Sequence, residues 1–406
     1  MSAATNSFRF DPPAVAVTPE LRWVLARAFG PPELAVRETE GLATTVLAAR
    51  LGLAPRIAAR NSPDRLAGEL GAEAAAELRR LRSLTVAQEM LLATALGAFD
   101  EVAADLRISY SPLKGQALVL GGYAPVGGRP SVDVDLLVPE GKLDPLQREL
   151  TRRGFTEVGQ RYEHQAPALH HEGGGAIELH RVVLGVRPEA KRSAGFDELV
   201  AAEYLFGAPL HWPGANGKPR GDVRMPGREI LAAHALVHAL AQHGLAPQAY
   251  PGLLLYADLL DLAFRDSPGR SMLATITPWI ERAVSFEEAK AALDLATALA
   301  GGGGELLESA GAERPPARRL LDHCLAGAFD SRYAESLKAR ALEQPLSDRS
   351  PSGARAAAVA GALVPGRGWV ADGSRESIAR YVLRLLGRPF DLVRRWRRAK
   401  AAGRRN

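Results

Sequence analysis

Residues 127–139 read GGRPSVDVDLLVP, and the fold turns on how this stretch is read. Its valines and leucines have the composition of a buried strand, yet Asp133 and Asp135 sit among them. A strand places residues i and i+2 on one face, so the two aspartates point one way while Val134 and Leu136 point the other, into a core. Neighbouring carboxylates repel, and each is costly to desolvate without a partner. Keeping them together predicts a cation at that point.

Outward from this strand, residues 108–226 alternate short apolar runs with glycine clusters and turn dipeptides. RISYSPLKG (107–115), VDVDLLVP (132–139) and GAIELHRVV (175–183) are expected strands, and LDPLQRELTRRG (143–154) is an expected helix. The alternation predicts a small α/β unit.

Helical patterns flank it on both sides. Before it come LRWVLARAF (21–29), GLATTVLAARLGL (41–53) and a long run from 75 to 106, broken at Gly-Pro-Pro (30–32) and Asn-Ser-Pro (61–63). After it come REILAAHALVHALAQHG (228–244), LLLYADLLDLAFR (253–265), MLATITPWIERA (272–283) and FEEAKAALDLATALAG (286–301), which stops at a four-glycine run. Residues 346–374 are rich in Gly, Pro, Ser and Ala and read as a mobile lobe or linker, and a basic helix is expected over 377–401. The fold class is α+β, a small mixed sheet flanked by N-terminal and C-terminal helical regions. The expected divisions are 1–107, 108–226, 227–345 and 346–406.

The bulk numbers suit a globular chain: 406 residues, 47% hydrophobic and 24% charged. The single cysteine, Cys324, excludes an internal disulfide framework. The opening residues lack a basic segment followed by an apolar block, and the most apolar run (251–264) is interrupted by Asp258 and Asp261. The expectation is a cytoplasmic protein. The net charge of +5 is a property of the tail: residues 380–406 hold ten Arg or Lys against one acid, Asp391, leaving the remainder net negative.

Three pieces of the α/β unit carry polar residues where apolar ones are expected. Lys114-Gly115 closes the first strand just ahead of a helix, a place where backbone amides approach an anion. Arg129 precedes Asp133 by four residues. Glu178 and His180 share one face of the third strand. Singly, each has an ordinary reading: a strand-edge D-x-D, a turn with a solvated lysine, a carboxylate paired with Arg181. Taken together and in order, they offer hard oxygen ligands of the kind that hold Mg²⁺ with substrate phosphates. Two ions bridged by Asp133 and Asp135 would grip a triphosphate and activate a hydroxyl, with Glu178 completing a metal shell or acting as general base.

The order LKG-x-x-L (113–118), Tyr123, R-P-x-x-D-x-D-L-L-V (129–138), a helix ending in Gly154-Phe155, His170-His171, then E-L-H (178–180) resembles the uncharacterised nucleotidyltransferase family of the polymerase-β-like nucleotidyltransferase superfamily. The resemblance is close over 113–181 and one of character only in the flanking helices. It implies Mg²⁺-dependent transfer of a nucleoside monophosphate from an NTP to an acceptor hydroxyl on a small molecule, RNA or protein, with release of pyrophosphate. It implies that Asp133, Asp135 and Glu178 bind metal, and that Lys114, Gly115 and Arg129 match the phosphate-side positions; His180 is the histidine expected to join them. Val132 departs from the small residue usual before the first aspartate.

Two other readings stand beside this one. One is a catalytically degenerate relative that binds a nucleotide or a partner. The other is an interaction protein whose carboxylates merely pair with arginines. His234 and His238 share a helix face; H-x-x-x-H without a third ligand argues against zinc and leaves two placements, lining a cleft or buried in the helical core. His243 lies nearby. His170 and His171 reach the site or form a surface loop. Trp212 and Trp279 read as core or interface aromatics. The tail, with Trp396 among arginines, suits an anionic partner or is a solvated helix end.

Overall fold

Proline and a hydroxyl start the first helix. Pro19 stands at the first helical position, where no amide hydrogen is needed, and the Thr18 hydroxyl accepts from the Leu21 amide at 3.2 Å. The computed structural model describes residues 14–31, 39–158, 165–183, 194–207, 217–242, 253–263, 286–308 and 315–329, together with positions 12, 34, 36, 211–212 and 276–277. The first helix, α1 (Pro19–Phe29), is followed by α2 (Gly41–Arg50), α3 (Ala54–Arg60) and α4 (Pro63–Leu70). Ser62 caps α4 ahead of Pro63, so the expected break at 61–63 is a helix start. Gly71, at φ 85°, turns the chain into α5 (Ala72–Asp105), 34 residues long.

The long helix serves two cores. Its first turns (Ala74, Ala75, Leu78) pack among the helical regions, and its later ones (Leu92, Leu96, Phe99, Val102) pack beneath the sheet. The sheet has the order β1-β2-β5-β4-β3, formed by β1 (Ser111–Pro112), β2 (Val134–Leu137), β3 (Phe155–Val158), β4 (Ala168–His171) and β5 (Ala176–His180). Only β2 and β5 run parallel; the other pairs are antiparallel, so the sheet is mixed as expected. Helix α6 (Lys114–Leu120) links β1 to β2, and α7 (Leu143–Arg152) follows β2.

The expected strands are shorter in the structure. Of 107–115 only Ser111–Pro112 pairs in the sheet; the Leu113 amide still donates to the Asp135 carbonyl, and helix begins at Lys114. GAIELHRVV divides into β5 and β6 (Val182–Val183), and β6 pairs with β7 (Ala194–Gly195). The remaining elements are α8 (Phe196–Ala201), the pair β8 (Leu205–Phe206) and β9 (Met225–Pro226), α9 (Arg228–Leu236), a π-helical turn over Val237–Gln242, α10 (Leu254–Ala263), α11 (Phe286–Ala300), α12 (Gly304–Glu308) and α13 (Pro316–Phe329). The segments expected over 346–374 and 377–401, together with His243 and Trp279, lie outside the described residues.

The alternation read from β2 holds. Val134 and Leu136 are fully buried against α5 and α7, worth about 2 kcal/mol each in apolar burial. Leu137 belongs instead to the core shared by α6, α9 and α10, so Asp135 points to that same side. The two helical regions meet in one core: α1 and α3 pack with α10 and α11, and Arg56 of α3 forks onto Asp261 of α10 at 2.6 and 2.9 Å. Among the described residues, no single helix is long and apolar enough to cross a membrane.

Candidate active site

Parallel pairing of β2 with β5 builds the site. The register sets Asp135 opposite Glu178 and Leu137 opposite His180. Opposed residues on adjacent strands share a face, so both carboxylates and the imidazole converge on the side covered by α6, α9 and α10. Ligand atoms of Asp135, Glu178 and His180 all lie within 4.8 Å of one another. Asp133 stands at the bend just before β2, half-buried.

Asp135 is the centre of this cluster, and it is buried. His180 Nε2 and Lys114 Nζ each lie 2.7 Å from its Oδ1. Burial alone would raise the Asp135 pKa, but Lys114 and His180 outweigh it and hold the carboxyl well below the usual range. The imidazole of His180 is shifted downward by burial, so it is neutral at pH 7 and its Nε2–H donates to Asp135. Burial would also depress Lys114, yet Asp135 and, more weakly, Glu178 and Asp133 raise it.

The other two carboxyls go the opposite way. Burial, then the charges of Asp135 and Glu178, push Asp133 up to about 7. Glu178, hydrogen-bonded by Gln165, is raised by burial and by Asp135. One ammonium thus faces three carboxyls, and two of the three hold their protons more tightly than usual. Such a site offers more carboxyl oxygens than one ammonium can pair with.

The start of α6 is shaped for close approach. Lys114 adopts φ 47°, a left-handed backbone costing a non-glycine about 1–3 kcal/mol, and this brings its ammonium to Asp135. Gly115 leaves room for a protein group: a Cβ there would lie 2.1 Å from Arg129 Nη1 and 2.4 Å from Ser131 Oγ. Arg129, expected at phosphate, is buried. It forks onto Asp258 of α10 at 3.2 and 2.9 Å and donates to Ser131 Oγ at 2.8 Å and to the Pro130 carbonyl at 3.1 Å. His180, also expected there, is buried against Asp135. Val132 is 77% exposed, so its isopropyl group faces solvent and leaves the carboxylates uncovered.

Residues 41–268 match the family model described as an uncharacterised nucleotidyltransferase. The chain belongs to that family. No curated protein and no solved structure matches it. The match reaches well beyond the 113–181 core on which the resemblance was close. It starts at α2 and runs past α10, so Arg56, Asp258 and Asp261 fall inside it. Family membership carries the general activity, nucleotidyl transfer.

Two residues of this nucleotidyltransferase that sequence reasoning passed over come into view here. Asp258 and Asp261 were noted only as interrupting an apolar run, yet each receives a buried arginine. The signal was present: two carboxylates three apart in a helix otherwise of Leu, Ala and Tyr need partners. His234 is buried and His238 half-buried, with ring centroids 6.1 Å apart, and both border a small cavity beside Lys114 and Asp258. His238 sits on the π-helical turn that follows α9. His170 is exposed on β4, and the His171 ring accepts from the Gly173 amide.

Proposed function

We propose that the protein transfers a nucleoside monophosphate from an NTP to an acceptor hydroxyl with release of pyrophosphate, and that Asp133, Asp135 and Glu178 hold the Mg²⁺ this needs. The observation that carries the reading is the in-register pairing of Asp135 with Glu178 beside the proton-retaining Asp133. Oxygen donors in excess of cationic partners fit Mg²⁺, which prefers carboxylates and keeps room for water and phosphate oxygens. Bound there, the ion would supply charge neutralisation at the triphosphate and a lowered pKa at the attacking hydroxyl.

The chain's own residues then do the following. Asp133 gives up its proton to become a ligand. His180 keeps Asp135 oriented and acts on the site through it. Lys114 sits where an ammonium serves Asp135 in the free protein and a polyphosphate in the loaded one, because both offer oxygens within reach of one flexible stem. Two ions, as the family resemblance implies, require Lys114 to leave Asp135. Catalysis would rest on positioning and charge, since in-line displacement at phosphorus asks little covalent chemistry of the protein.

A second reading has one observation in its favour: Lys114 already neutralises Asp135 in the manner of a resident counter-ion. In that case the fold binds a nucleotide or a partner without turnover. Incubating the full chain with each labelled NTP and Mg²⁺ separates the two. Pyrophosphate release or self-labelling, lost in Asp133→Asn and Asp135→Asn, supports transfer, and tight binding with no turnover supports the degenerate relative. Equal turnover by wild type and Asp133→Asn would overturn the assignment.

A further inference from the structure

We propose that Asp258 is a positioning residue for the carboxylate site, acting through Arg129; the inference rests on the metal-binding reading above. Asp258 lies on α10, 125 positions after Asp133 in the chain, and is 2% exposed. Its two oxygens take Nε and Nη2 of Arg129 at 3.2 and 2.9 Å, fixing the plane of the guanidinium. The remaining nitrogen, Nη1, points at both walls of the site. On one side it donates to Ser131 Oγ and to the Pro130 carbonyl, in the short segment that leads into Asp133. On the other it lies over the Cα of Gly115, adjacent to Lys114, whose ammonium holds Asp135. One planar group thus spaces the Lys114 turn from the Asp133 bend, and Asp258 sets its orientation. Rotating the guanidinium would move both walls at once.

The same helix supplies a control. Asp261, one turn along, forks onto Arg56 at 2.6 and 2.9 Å, and that arginine is likewise buried, but its remaining hydrogen bond goes to the Ala28 carbonyl of α1 rather than to the segment that leads into Asp133. If α10 merely staples the fold, the two aspartates are equivalent. If Asp258 positions the site, they are not.

The test titrates full-length protein with Mn²⁺, followed by its electron-spin resonance signal, at a temperature where each variant is folded by circular dichroism. Asp258→Asn is compared with Asp261→Asn. Because a lone buried guanidinium can prevent folding, the apolar pair Arg129→Met/Asp258→Leu is included, which removes both charges together. Melting temperature should fall in both single variants. Mn²⁺ affinity should fall about 10-fold or more in Asp258→Asn and in the apolar pair, the usual cost of losing an outer partner of a metal site, and stay near wild type in Asp261→Asn. Asp258→Glu should recover part of it. Wild-type Mn²⁺ affinity in the folded apolar pair overturns the positioning role and leaves the metal site standing. Absence of Mn²⁺ binding by wild type, with and without NTP, overturns both.

Discussion

Lys114 Nζ lies 2.7 Å from Asp135 Oδ1, the same oxygen that His180 meets from the neighbouring strand. Removing the ammonium should therefore have two opposite effects. In Lys114→Met, Mn²⁺ binding without nucleotide should tighten by roughly tenfold or more, since a competing charge within about 4 Å is gone. Nucleotide turnover should fall. Equilibrium dialysis with Mn²⁺ and a pyrophosphate-release assay on the same preparation read the two effects.

Asp133 gives the site a pH dependence with a definite sign. Its carboxyl is raised from the ordinary aspartate range to about 7, so in the metal-free protein it favours the folded state below the unfolded pKa and loses that contribution as pH rises through about 7. Asp135 is shifted the other way, and its contribution is lost only in strong acid. A divalent ion reverses the Asp133 trend, because it binds the deprotonated form. The rise in melting temperature on adding Mg²⁺ should be larger at pH 8 than at pH 6, with a proton released on binding near neutrality. Asp133→Asn should flatten the difference, which differential scanning fluorimetry across pH measures directly.

Charge-neutral replacements at the other two proposed ligands test the chemistry itself. Asp135→Asn and Glu178→Gln should each lower turnover by a factor of about 100 or more, a typical cost for losing one group that stabilises transition-state charge. Single-turnover rates at saturating NTP separate this from weakened binding.

Gly115→Ala probes the packing of Arg129. The added methyl would sit 2.1 Å from Nη1 of a guanidinium that α10 holds in place, so the arginine or α6 must shift. A loss of about 1–3 kcal/mol is expected, as for other overpacked sites, and should show in urea unfolding with an unchanged m-value. Full stability in this variant would mean that the guanidinium moves freely.

Sequence alone determined what depends on near neighbours. The period of β2 fixed which residues are core and which face the site, because a strand alternates whatever surrounds it. The punctuation at Gly30 and Ser62 marked helix ends, because proline and a hydroxyl cap act within a turn, whereas the turn at Gly71 into α5 came only from the structure. The ordered motif from Lys114 to His180 named the family. Tertiary structure decided which partner each polar group meets. Glu178 faces Asp135 through a parallel register, Lys114 turns back onto that same aspartate, and Arg129 meets Asp258 on a helix far along the chain. Periodicity is a property of consecutive residues, but a buried charge is satisfied by whatever packing brings against it, and no local pattern encodes that distance.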